Sequence, residues 1–118
     1  MSQATISKQF GFEAAHFLPH IPAGHKCGRM HGHSYRVTIE VRGEIRPDGM
    51  VMDFADISAA WEPIGKALDH RPLNDIIDNP TSENLALWIA GQLKLAGLSA
   101  VTVSETQTSA CRVEVSYG

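Results

Sequence analysis

The chain has 118 residues, 43% of them apolar and 19% charged, with a formal net charge of -3. That length suits one compact domain spanning residues 1–118, which can bury roughly 65% of the surface its unfolded form exposes. No stretch approaches the ~18 apolar residues of a membrane span, and a net negative chain without a basic run is a poor match to a phosphate backbone. A membrane or nucleic-acid partner is therefore not expected.

The first ten residues, MSQATISKQF, lack the basic start and apolar run of a secretory signal, so cytoplasmic residence is expected. Two cysteines, Cys27 and Cys111, are too few for a disulfide scaffold and read as free thiols. From Ile6 to His16 the apolar residues Ile6, Phe10, Phe12 and Ala14 fall on even positions, the period of a half-buried strand. Residues 19–32 form a Pro/Gly loop dense in histidine. A second strand follows, with His33, Tyr35, Val37, Ile39 and Val41 on one parity and polar residues on the other. Pro47-Asp48-Gly49 closes it with a turn.

Asp53 is placed to cap a helix whose apolar stripe runs through Ile57, Ala60, Trp61, Ile64 and Leu68, although Pro63 and Gly65 weaken it. A second helix starts at Pro80-Thr81-Ser82-Glu83 and carries Leu85, Trp88, Ile89, Leu93 and Ala96 inward, with Gly97 as its stop. Two strands, around Ala100 to Thr106 and Cys111 to Tyr117, make a closing hairpin. The order ββααββ predicts an α+β domain, an antiparallel sheet with both helices on one face. Its other face is left for solvent or for an oligomer partner.

Five histidines lie between residues 16 and 33. His31 and His33, two apart on a strand, share a face at ~6.7 Å between Cα atoms, a workable bite for one metal. His16 ends the first strand on its inward parity and is the natural third ligand, brought beside His33 by strand pairing. His20 and His25 lack such placement. Three neutral imidazoles with a vacant fourth position match a catalytic zinc site; a closed structural site with Cys27 as fourth ligand is the alternative. Cys27, near Lys26 and Arg29, can act as a base or nucleophile, since neighbouring cations favour a thiolate. Cys111 shares parity with Val113 and reads as a small buried hydrophobe. Glu105 continues the apolar parity of Val101 and Val103, so it either points a carboxylate inward, toward donors such as an amino-pyrimidine edge, or ends the strand in solvent. Asp69-His70 can supply a general acid/base with its charge partner.

Taken together, FEAAH at 12–16, HKCGRMHGHSY at 25–35, LDHRPLN at 68–74, NPTSEN at 79–84 and Glu105 resemble the 6-pyruvoyltetrahydropterin synthase family, in order along nearly the whole chain. The resemblance implies the tunnelling fold (T-fold), in which subunits join their sheets into a barrel, as a homohexamer made of a dimer of trimers. It implies Zn2+ on His16, His31 and His33, Cys27 as catalytic proton acceptor, Asp69 and His70 completing a proton relay, and Glu105 as anchor of the pterin. Family sites lie between subunits. The Cys27-x-x-x-His31 spacing resembles the bacterial 6-carboxytetrahydropterin synthases of queuosine biosynthesis, which convert 7,8-dihydroneopterin triphosphate and water to 6-carboxytetrahydropterin, acetaldehyde and triphosphate. The rival readings are a 6-pyruvoyltetrahydropterin synthase, a cupin-like metal oxygenase, for which Glu40 lies too far past His33, and a non-catalytic zinc-stabilised module.

Overall fold

A computed structural model of the chain describes residues 2–115. Strands β1 (Gln3–His16) and β2 (His31–Glu44) pair antiparallel along their whole 14-residue lengths, from Gln3 opposite Glu44 to His16 opposite His31. Both start earlier than Ile6 and His33, because polar residues at a strand end carry no apolar alternation to reveal them. Helix α1 (Phe54–Leu68), strand β3 (Arg71–Pro72), helix α2 (Ser82–Gln92), strand β4 (Leu98–Ser104) and strand β5 (Cys111–Glu114) follow. The sheet order is β3-β1-β2-β4-β5. The expected ββααββ order thus gains β3, two exposed residues that pair parallel with Ala14 and Ala15. Every other pairing is antiparallel.

Asp53 caps α1, its carboxylate accepting the Ala55 N–H at 2.8 Å. The helix runs through Pro63, whose missing N–H deletes one intrahelical bond on an exposed side. Gly65 has a packing reason: a Cβ there would stand 2.8 Å from Nε1 of Trp61, so only glycine lets that indole lie along the helix. Thr81 caps α2 by accepting the Asn84 N–H at 3.1 Å. This helix ends at Gln92, short of the expected Gly97 stop, and Ala96 is exposed rather than inward. Gly97 serves the sheet instead. Its φ is 77°, its carbonyl accepts the Arg42 N–H at 2.8 Å, and a Cβ would meet the Arg42 carbonyl oxygen at 2.5 Å, beside the bulge at Glu40/Val41.

Both helices lie on one face of the sheet, where Tyr35, Val37 and Ile39 of β2 meet Ile57 and Trp61 of α1 and Leu85 and Ile89 of α2. The opposite face is polar. There Arg112 donates to both carboxylate oxygens of Glu40, at 2.8 and 3.2 Å, and to Glu114 at 2.9 Å. The expected hairpin is present between β4 and β5, but Thr106 falls in its connection and Tyr117 lies outside the described residues. The molecule is elongated, 56 × 25 × 25 Å, and the outer edge of β1 is unpaired ahead of Ala14 among the described residues. Among the described residues, no helix is long and apolar enough to cross a membrane.

Candidate metal centre and active site

The inward parity of β1 and β2 runs through the core and ends in imidazoles. His16 stands directly opposite His31, while His33 faces Ala14 and lies diagonally beside His16, which strand pairing brings next to it as expected. Ring centroids are 4.6 Å apart for His16 and His31, 5.1 Å for His16 and His33, and 4.9 Å for His31 and His33. One ligand nitrogen from each lies within 4.8 Å of the others. The two ring nitrogens have divided roles. Nδ1–H of His16 donates to the Pro80 carbonyl and Nδ1–H of His31 to the Arg29 carbonyl, both at 2.7 Å, which fixes the tautomer that leaves Nε2 with a lone pair.

Nε2 of His16, a residue only 1% exposed, and Nε2 of His33 are buried without a hydrogen-bond partner. Orphaned acceptors of this kind are costly in an apolar interior, and a shared cation is what would satisfy them together. Burial chiefly lowers the pKa of His33, against the Glu105 charge, and the neighbouring imidazoles lower it further, so the ring favours the neutral form a metal ligand requires. These three residues can hold a metal such as zinc. Cys27 is not part of the cluster.

Glu105 lies one residue past β4, and its carboxylate oxygens stand 3.9 Å from Nε2 of His16 and of His33. Its side chain is 26% exposed, so it is turned to the imidazoles rather than dissolved at the strand end. Beneath lies Tyr35, 2% exposed, stacked on Phe12 at 4.9 Å and edge-on to His16 and His33, with its hydroxyl unpaired. Burial, then the Glu105 charge, pushes the phenol up, so it stays a neutral donor.

Cys27 sits in a short 3-10 turn, Lys26–Gly28, within the histidine-rich loop and is half-buried. Asp69 and His70 sit at the other side of β1. Asp69 Oδ1 accepts the Glu13 N–H at 2.9 Å, and Oδ2 faces Nδ1 of His70 at 2.8 Å. The Glu13 bond first, then His70, hold the Asp69 carboxyl below the usual carboxylate range. His70 has φ 58°, rare for a residue with a Cβ, and its N–H donates to the Glu13 carbonyl. It lines a cavity of about 530 Å³ with Glu13, His33, Ser34 and Arg71. One chain therefore gathers the three imidazoles and Glu105, while Cys27 lies on the turn Lys26–Gly28 and the Asp69-His70 pair on the segment that follows α1. Sequence reasoning had missed Pro80, Arg29 and Glu13, which act through backbone groups that no side-chain pattern announces. Cys111 shares the parity of Val113 as expected but is half-buried rather than buried, its thiol pushed up by burial and then by Glu83.

A profile of the family described as 6-pyruvoyl tetrahydropterin synthase matches residues 5–116. The chain belongs to this family. Among relatives of the 6-pyruvoyl tetrahydropterin synthase family, a Synechocystis protein named 6-carboxy-5,6,7,8-tetrahydropterin synthase is 46% identical over 118 residues, 91% of this chain and 90% of the relative. A Pyrococcus furiosus protein named dihydroneopterin monophosphate aldolase is 39% identical over 92 residues, 78% of this chain and 76% of its own. The solved structure of Caenorhabditis elegans 6-pyruvoyl tetrahydropterin synthase superposes with a TM-score of 0.88 at 28% identity, covering 98% of each chain. The fold is the T-fold of that family, α+β with a five-stranded sheet and two helices.

Proposed function

We propose that this chain is a zinc-dependent 6-carboxy-5,6,7,8-tetrahydropterin synthase, a lyase of queuosine biosynthesis acting on 7,8-dihydroneopterin triphosphate in the cytoplasm. The observation that carries the reading is the pair of buried, unpartnered Nε2 atoms on His16 and His33, with His31 beside them and the Glu105 carboxylate 3.9 Å away. The Synechocystis relative supports the carboxy product. His16, His31 and His33 would hold the zinc, which when bound supplies Lewis acidity to side-chain oxygens of the substrate.

The chain's own residues then divide the work. Glu105 accepts hydrogen bonds from the amino-pyrimidine edge, which places the pterin against the imidazoles. Cys27 takes a proton from the side chain of the substrate. His70 carries protons, its Nδ1 oriented by Asp69 and leaving Nε2 for exchange. Cys27 and His70 lie on separate segments of one chain, so we read the relay as completed between copies, with Asp69 and His70 of one serving the cysteine of another. The polar outer face and the unpaired edge of β1 suit that assembly, a barrel closed by edge pairing into a hexamer.

Incubating zinc-loaded protein with 7,8-dihydroneopterin triphosphate, without nicotinamide or flavin, should give 6-carboxytetrahydropterin, acetaldehyde and triphosphate by mass spectrometry. The second reading, 6-pyruvoyltetrahydropterin synthase, has the C. elegans likeness in its favour and predicts the pyruvoyl product with no acetaldehyde. Cleavage of the monophosphate alone would move the substrate toward that of the Pyrococcus relative. No product from either substrate would sink the pterin synthase reading.

A further inference from the structure

Of the five histidines in the loop and its flanks, three meet at the metal centre, and the part played by His25 is written in its hydrogen bonds. We propose that His25 is a positioning residue for Cys27, its Nδ1 lone pair holding the backbone turn that presents the thiol. The inference rests on the reading of Cys27 as the proton acceptor.

Cys27 occupies the middle of the three-residue turn Lys26–Gly28, too short to satisfy its own N–H groups. Nδ1 of His25 accepts the Cys27 N–H at 3.0 Å, and the Cys27 carbonyl accepts the Leu18 N–H at 2.8 Å. Both backbone groups of Cys27 are therefore anchored, and the only side chain among those anchors is His25. The turn closes through Gly28 N–H to the His25 carbonyl at 3.0 Å, and His25 N–H itself reaches Pro22 at 3.2 Å. The segment needs such fixing. Residues 22–26 are exposed, and Gly24 just before has φ 86° with open space around it. Backbone bonds in an exposed loop are readily traded for water, so local opening costs little.

The tautomers separate His25 from the ligands. His16 and His31 donate from Nδ1 to carbonyls, which leaves Nε2 a lone pair for a cation. His25 does the reverse: its Nδ1 accepts an N–H, so a neutral ring carries its proton on Nε2 and has no lone pair left for a metal. Nδ1 stands at the same distance along the side chain as Oδ1 of asparagine, a preferred capping acceptor, whereas glutamine carries its oxygen one bond further out.

The test compares His25→Ala, His25→Asn and His25→Gln with the intact protein and with Cys27→Ala. Four quantities are read in each: kcat, KM for 7,8-dihydroneopterin triphosphate, zinc per chain, and the rate at which iodoacetamide alkylates the Cys27 peptide. Losing an N-cap acceptor shifts the ordered turn by roughly twofold to thirtyfold, so kcat of His25→Ala should fall within that span with KM and zinc unchanged. Alkylation of Cys27 should change with it. His25→Asn should restore kcat to within about twofold by supplying the same acceptor, and His25→Gln should not. Full kcat and an unchanged alkylation rate in His25→Ala would overturn the proposal, as would an asparagine variant no better than alanine, or loss of zinc from any of the three. Should Cys27→Ala keep its turnover, the catalytic reading of Cys27 fails, while the alkylation rates of the His25 variants still decide whether that side chain holds the turn.

Discussion

Replacing His16 and His31 by alanine, one at a time, separates what a ligand does for the metal from what it does for the fold. Both should lose zinc, because two imidazoles make a far weaker site than three. Their metal-free stabilities should differ. His16→Ala strips the buried Pro80 carbonyl of its donor, at a cost of about 1–3 kcal/mol, and empties the space the ring fills beside His31, His33 and Tyr35, for about another 1–2 kcal/mol. The same change removes an orphaned Nε2, which recovers about 1–3 kcal/mol. The net loss is about 1–2 kcal/mol, or roughly 4–8 °C in Tm for a domain of this size. His31→Ala gives up an exposed bond to Arg29 and should cost no more than about 0.5 kcal/mol. Urea unfolding with and without chelator, alongside metal analysis, measures each quantity. Stoichiometric zinc in either variant would refute the ligand assignment, and equal metal-free destabilisation would refute the division of roles between the two rings.

Cys27→Ala should keep close to one zinc per chain and lose turnover, because the thiol lies outside the ligand cluster; loss of metal and folding together would restore the closed four-ligand site. Glu105→Gln should keep zinc and fold and weaken pterin binding by about 1–3 kcal/mol, since an amide turns NH2 donors on ligand donors. Equal affinities by calorimetry would count against the anchor. Gly97→Ala should lower stability by more than about 1 kcal/mol, because its Cβ would stand 2.5 Å from the Arg42 carbonyl at a φ of 77°. An unchanged melting temperature would show that the backbone there moves freely.

The elements with strong periodicity were legible before any coordinates, as were both helix starts, since Asp53 and Thr81 each cap as their residue types demand. Helix ends were less so. Gly97 read as a helix stop because glycine at a C-terminus and glycine at a close backbone approach look alike in a sequence. Strand β3 was invisible for a different reason: two residues held by their neighbour's ladder need no pattern of their own. At the site, side-chain chemistry named the three imidazoles and Glu105, and the structure brings these together. What the pattern did not contain is the set of carbonyls that choose each tautomer. Register also eluded it, because His16 opposite His31 and His16 opposite His33 preserve the same inward parity.

The candidate metal centre is the last layer of the hydrophobic core with its apolar side chains exchanged for imidazoles. Phe12, Ala14 and His16 follow one another on β1 as Tyr35, His33 and His31 do on β2, so the ladder that packs the helices also aims the ligands. The carbonyls that orient them come from elsewhere, Pro80 beside the cap of α2 and Arg29 at the end of the loop that carries Cys27. A cation bound by the three rings would therefore tie the α2 start, the cysteine loop and the strand ladder into one unit. His16 and His31 gain basicity from the carbonyls behind them, and in return each of those carbonyls is held by its ring. A cation on His31 would be coupled to the placement of the cysteine loop through the Arg29 carbonyl, one residue beyond the turn that ends at Gly28.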